Sequence, residues 1–163
     1  MAYIVRAYRR GEEEYVAALH KRLYSEEYSW GPDFTDYAMK IAMDFAGKDR
    51  DTREELFVAE EDDELIGSIM LCGTEEPVVG QLRLYAVEKA WRGRGVGNAL
   101  LSTLMHKAKE AGYKKLVLWT ASPLEAAICQ YEGLGFKRTE YVENNTWRTD
   151  GGSLFEIKME MAL

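Results

Sequence analysis

The chain has 163 residues, 47% of them hydrophobic and 30% charged, and a formal charge of −7. That length suits one domain with a full core, and the acidic balance argues against a nucleic-acid surface, which needs a dense basic stripe. No apolar run approaches a membrane span and MAYIVRAYRR lacks a signal-peptide core, so neither membrane insertion nor secretion is expected.

Residues 2–8 alternate as a strand that breaks at Gly11. Residues 12–28 carry Val16, Leu19, Leu23 and Tyr24 at helical spacing, with Glu12, Glu13 and Glu14 in the first turn. Gly31-Pro32 stops that helix, and Asp33 is placed to cap a second one over 34–46. His20, Tyr24 and Glu27 share one face of the first helix, and Tyr28 and Trp30 follow at its end. This group reads either as an amphipathic rim or as a pocket wall. In the second reading Tyr24, Tyr28 and Trp30 hold an acceptor, and Glu27 pairs with its ammonium or takes its proton. Residues 56–61 and 65–72 form a hairpin around Asp62-Asp63-Glu64. No His or Cys accompanies that acidic turn, so no metal is expected there.

Residues 81–112 then read as a strand, a tight loop rich in Gly and Arg, and a long amphipathic helix. Leu82, Leu84, Ala86 and Val87 mark a largely buried strand, with Arg83 and Tyr85 on its other face. Arg83 there needs a partner, either an ion pair or a substrate. Gly93, Gly95 and Gly97 permit positive φ and let N–H groups converge at a helix N-terminus, where the partial charge favours an anion. Arg92 and Arg94 add cationic forks suited to phosphate. The local reading is a pyrophosphate cradle, with a plain loop-to-helix turn as the alternative. The spacing is GxGxG, so neither the dinucleotide GxGxxG nor a Walker loop is matched.

Residues 116–119 form the next buried strand, and Ser122-Pro123-Leu124-Glu125 reads as a capping box opening a short helix to about Glu132. Strands follow over 136–141 and 154–161, the last with Phe155, Ile157, Met159 and Met161 in alternation, across the polar segment 143–152. Cys72 and Cys129 are far apart in apolar settings and are expected as buried free thiols in a reducing, cytoplasmic compartment.

Arg92-Gly93-Arg94-Gly95-Val96-Gly97 fits the [QR]-x-x-G-x-[GA] signature, and 126–136, AAICQYEGLGF, follows it at the right separation. Together with the strand LRLYAV these resemble the GNAT acetyltransferase superfamily over nearly the whole chain. A closer resemblance, carried by His20, Leu23, Tyr24, Glu27, Tyr28 and Trp30 and by Leu118-Trp119-Thr120, is to the acetyltransferase domains fused to MarR-type regulators. The DNA-binding half of such fusions has no counterpart, which implies a freestanding enzyme. Ala121 stands where many relatives have Asn, and Asn144-Asn145 where the fused relatives often have two histidines.

The resemblance implies an α/β (α+β) three-layer fold over residues 1–163, a mixed twisted sheet of about seven strands flanked by about four helices. It implies direct transfer from acetyl-CoA to a primary amine, on a small molecule or a protein, in a ternary complex without metal. The main chain of Tyr85, Ala86 and Val87 would face the thioester, and Arg92, Gly93, Arg94, Gly95, Val96, Gly97 and Asn98 would hold the pyrophosphate. Tyr131 would return a proton to the departing thiolate as general acid, and Tyr24, Glu27, Tyr28, Trp30 and Arg83 would meet the acceptor. For the base, Glu27 comes first and Glu60 a distant second, with a water chain to bulk as the alternative. A homodimer is implied by analogy alone. The competing function is a non-catalytic acyl-CoA-binding module that kept the cradle and lost the acceptor site.

Overall fold

The computed structural model describes residues 3–49 and 51–163, so Ala2, the expected start of the first strand, lies outside it. The N-terminal part runs β1 (Ile4–Ala7), α1 (Glu13–Tyr28), α2 (Pro32–Gly47), β2 (Glu55–Glu61), β3 (Glu64–Gly73) and β4 (Val79–Val87). A single 3-10 turn, Lys89–Trp91, leads to α3 (Val96–Glu110), β5 (Lys115–Ala121), α4 (Glu125–Leu134), β6 (Lys137–Asn144) and β7 (Leu154–Ala162). The seven strands form one sheet in the order β1-β2-β3-β4-β5-β7-β6. Every neighbouring pair is antiparallel except β4 with β5. The expected mixed sheet with four helices is the fold.

Both faces of the sheet are covered, and the strand period shows how. On β2, Phe57 and Ala59 join the core built with α3 and α4, while Leu56 and Val58 join the core built with α1 and α2. β3 divides likewise, Ile69 and Leu71 to one side and Met70 and Cys72 to the other. Successive side chains on a strand point to opposite faces, so runs apolar at every position become central strands. The β2–β3 hairpin closes through Asp62 and Asp63, both at positive φ (48° and 65°), the two-residue turn whose twist suits a hairpin.

β4 breaks the period. Leu82 belongs to the α3 core and Leu84 to the α1–α2 core, although the two are separated by one residue. Leu84 has φ +50°, and between Ser68 and Met70 on β3 the register slips by an extra residue on β4. This is a β-bulge, which re-aims the side chains that follow. The buried Ser68 Oγ donates to the Leu84 carbonyl at 2.8 Å and fixes it. The expected single buried face of β4 is therefore corrected.

Three other local expectations change. α2 starts at Pro32 with Gly31 as its cap residue, so Asp33 lies in the first turn and caps nothing. Ser122 makes no capping box, because its Oγ accepts the Phe155 N–H at 3.0 Å and ties the end of β5 to β7. Phe155 is exposed, in contrast to Ile157 and Met159.

Candidate active site

β4 and β5 pair over only three positions, Val79–Gln81 against Lys115–Val117. Past Gln81 the β5-facing edge of β4 has no strand beside it, and the bulge at Leu84 falls within that unpaired part. Two cavities open along this split, of about 510 Å³ and 330 Å³. Tyr24, Tyr85, Leu124 and Tyr131 line both. They meet at Tyr131.

The smaller cavity is walled by Tyr28, Tyr85, Ala86, Val87, Arg92, Gly93 and Gly97, with Gln130 from α4. Gly93 and Gly95 take φ of +76° and +87°, a conformation that side-chain-bearing residues rarely adopt, and Gly95 is the cap residue of α3. A Cβ on Gly97 would lie 2.2 Å from the Tyr85 hydroxyl. Gly97 puts the first turn of α3 on the cavity wall, where a helix N-terminus carries N–H groups without intrahelical partners and a partial positive charge. That donor set fits a pyrophosphate.

Arg92 is not idle. Its Nη1 and Nη2 donate to the two Glu27 oxygens at 2.7 Å each, and its Nε donates to the Val87 carbonyl at 3.2 Å. Arg94 stacks over Trp91 at 5.0 Å. Arg94, Gly95, Val96 and Asn98 shape the cavity without lining it. Val96 is buried in the α3 core, and Asn98 accepts from Gln130, whose own Oε1 accepts the Tyr85 hydroxyl at 2.8 Å.

The larger cavity is walled by aromatic side chains. Tyr24 stacks on Trp30 with ring centroids 5.1 Å apart and an interplanar angle of 5°. Phe34 meets Trp30 and Trp147 edge-on, each at 4.7 Å. Trp147 comes from the segment between β6 and β7, which docks on the α1–α2 turn. The Gly31 N–H donates to the Trp147 carbonyl at 2.7 Å, and the Thr149 N–H donates to the Ser29 carbonyl at 2.8 Å. Asn144 sets that segment's shape, its Oδ1 accepting the N–H groups of Thr146 and Trp147. Among the expected acceptor residues, Tyr24, Trp30 and Arg83 line this cavity, and Tyr28 lines the other. Phe34, Tyr37, Trp119, Trp147 and Glu156 join them without having been expected. Trp147, a lone large aromatic in a polar stretch, was the available signal.

Neither carboxylate considered for the base is placed for it. Glu27 lines neither cavity that meets at Tyr131, and both its oxygens are held by Arg92. Glu60 also lines neither, and hydrogen bonds from Arg6 hold its pKa low. Burial also perturbs the phenols. Tyr131 is pushed well up by burial, with Tyr24 and Tyr85 adding to it. Tyr24 is raised by burial, and Tyr85 is pushed up to about 12, again by burial. His20, also on the larger cavity, is driven down to about 4 by burial, against the pull of the Val16 and Leu84 carbonyls. Its Nδ1 donates to the Val16 carbonyl at 2.8 Å.

Cys72 is buried as expected, but Cys129 is exposed on α4, and both are free. Among the described residues no group of three or more His, Cys, Asp or Glu is arranged to hold a metal. No helix of the described residues is long and apolar enough to cross a membrane.

Residues 14–136 match the model of the acetyltransferase (GNAT) family. The chain belongs to that family. This GNAT chain is 34% identical over 100 residues to N-acetyltransferase 8B of Rattus norvegicus, covering 58% of itself and 45% of that relative. It is 30% identical over 107 residues to N-acetyltransferase 8F1 of Mus musculus, covering 63% and 48%. It thus spans about half the length of the curated relatives it matches. A GNAT-family acetyltransferase from Staphylococcus aureus Mu50 superposes with TM-score 0.81 at 17% identity, covering 99% of both chains. A Salmonella typhimurium structure solved with its cofactor acetyl-CoA superposes with TM-score 0.77 at 19% identity, covering 100% and 95%.

Proposed function

We propose that this chain transfers the acetyl group of acetyl-CoA to a primary amine by direct attack in a ternary complex. One observation carries the reading: Tyr131 stands where a glycine-lined cavity at the start of α3 and an aromatic cavity meet on an unpaired strand edge. The cofactor, when bound, supplies a reactive thioester. The first turn of α3 and Arg92, oriented by Glu27, would hold its pyrophosphate. The freed edge at Tyr85, Ala86 and Val87 would present N–H donors where negative charge develops.

Tyr131 Oη makes no hydrogen bond to any described residue, so its proton is available to the departing sulfur. The unperturbed values, about 10 for a phenol and 8.5 for a thiol, make a full transfer uphill. Burial penalises a thiolate as it does a phenolate, so inside this site the sulfur also rises toward the tyrosine. Tyr131 would therefore stabilise the leaving sulfur by hydrogen bonding and complete the transfer as the charge forms. The ammonium would lose its proton to water in the larger cavity, leaving Glu27 to position Arg92.

A non-catalytic binding module would have no use for an aromatic cavity opening onto Tyr131, and is not favoured. We also infer that the 163 residues act as one cytoplasmic domain, alone or as a homodimer, without nucleic-acid or membrane partners. Two free cysteines and the charge of −7 support this. We infer kinship to the MarR-fused acetyltransferases from the sequence pattern His20 to Trp30, of which His20, Tyr24 and Trp30 line the larger cavity.

Free-thiol release on incubation with acetyl-CoA and a panel of amines tests the activity. Tyr131→Phe should lower kcat by about tenfold or more with acetyl-CoA affinity nearly unchanged. Acetyl-CoA binding with no thiol release from any amine would overturn the reading.

A further inference from the structure

The larger cavity contains two charged groups that are not neutralised. Arg83 is half-buried and lines it. Its Nη2 donates to the Tyr37 hydroxyl at 2.9 Å, and the buried, neutral Cys72 thiol lies close to the guanidinium. Among the described residues it has no carboxylate partner. Glu156, half-buried on β7, lines the same cavity and accepts only from the Asn144 amide at 3.2 Å. No Lys, Arg or His pairs with it among the described residues. The two do not pair with each other because β5 lies between β4 and β7. At the usual spacing of neighbouring strands their backbones are at least about 10 Å apart.

A charge in a partly desolvated, aromatic-lined cavity is costly until a partner arrives. An acceptor bearing only an amine would bring a second cation to Arg83. An acceptor bearing an amine and a carboxylate would satisfy Arg83 and Glu156 together. The Tyr37 hydroxyl holds Nη2 and the Cys72 thiol lies beside the guanidinium, and a guanidinium's five N–H donors leave enough for a carboxylate. The ring wall of Tyr24, Trp30, Phe34 and Trp147 then faces the remainder of the ligand.

We propose that the acceptor is a free amino acid with a large apolar or aromatic side chain, held as a zwitterion with its carboxylate on Arg83 and its ammonium toward Glu156. This rests on the acetyltransferase reading. The ammonium first gives one proton to solvent. The amino nitrogen then forms its bond to the acetyl carbon as the C–S bond breaks, the nitrogen sheds a second proton and the sulfur gains one. One proton is released net.

The test uses L-phenylalanine, L-tryptophan, L-leucine and L-methionine, each beside its decarboxylated amine and its methyl ester. Thiol release should favour at least one amino acid over its own amine and ester by about thirtyfold or more in kcat/KM. Arg83→Gln should raise the amino acid's KM more than tenfold and close most of that gap, and Arg83→Lys should restore part of it. Calorimetry on the protein–coenzyme A complex gives a readout without turnover: the amino acid should bind more tightly than its amine, and Arg83→Gln should remove the difference. Glu156→Gln should weaken binding of the amino acid more than that of its N-acetyl product, which has no ammonium. Amines and esters that react and bind as well as the amino acids, with no dependence on Arg83, would overturn the proposal while leaving the transferase reading intact. An absence of thiol release from every compound would fail the transferase reading, and calorimetry would still decide the zwitterion site.

Discussion

The two cavities that meet at Tyr131 are built from different materials. The smaller is made by backbone: glycines at positive φ, the bare first turn of α3 and the unpaired edge of β4. The larger is made by side chains drawn from α1, α2, β4, β5, α4, β6, β7 and the β6–β7 segment. A backbone site needs particular residues because only they allow the conformation, so it leaves a motif. A side-chain site can be filled by many combinations of rings and charges, so it leaves a looser one. On the proposed reading, the first cavity takes an invariant cofactor and the second a variable acceptor.

The sharpest way to break this contrast is at the cradle. Gly95→Asp places a carboxylate and a Cβ at φ +87°, against Tyr3 Oη at 3.0 Å, and should weaken acetyl-CoA binding by about a hundredfold or more. Amino acid binding, measured without cofactor, should move much less. Equal losses would mean that the two cavities are not separable. Trp30 is 2% exposed and touches Tyr24, Phe34 and Trp147. Trp30→Ala should cost about 3–5 kcal/mol of stability in urea denaturation, the largest fold penalty among the acceptor residues.

His20 gives a smaller effect with a defined pH window. Its folded-state pKa of about 4 lies below the ordinary 6.5, so between these values the unfolded chain binds a proton that the folded one refuses. Stability should fall as pH drops through that window, by up to roughly 3 kcal/mol, and be unaffected by this group above it. His20→Gln should flatten that part of a urea-midpoint profile. The decline at still lower pH should remain, because Glu12 and Glu60 are held low by hydrogen bonds from Arg6. An unchanged profile would show that another group titrates there. The smallest effect on the fold should come from the Glu27–Arg92 pair, whose Arg92 side chain is 42% exposed. Glu27→Gln should cost less than about 1 kcal/mol of stability while raising the KM for acetyl-CoA severalfold.

Legibility followed the same division. Gly93 to Gly97 and the Tyr131 segment could be read from sequence because each position there has a backbone or packing reason. The bulge at Leu84 could not, since LRLYAV alternates as a regular strand and the extra residue is fixed only by β3 and by Ser68, both distant in the chain. Ser122 misled for a related reason: a β7 N–H competed for the oxygen that a local rule assigned to its own helix. Glu27 was correctly placed beside the other helix-face residues, but its partner, Arg92, is 65 residues away and took both of its oxygens. For Arg83 the sequence admits an ion pair or a substrate contact, and among the described residues its partner is the Tyr37 hydroxyl, 46 residues away in the chain, rather than a carboxylate.

The strap from Trp147 to Thr149 has a consequence for how active protein is made. It ties residues 120 positions apart, as in the Thr149 hydroxyl donating to the Ser29 carbonyl, and closing so large a loop is among the slowest steps in forming a native contact map. The wall of the larger cavity is therefore expected to form late in folding, whereas the glycine loop and the first turn of α3 are contiguous in sequence. Early in refolding, molecules whose Trp147 has not reached Trp30 are expected. Tryptophan fluorescence during refolding, followed beside the recovery of thiol release, would count them.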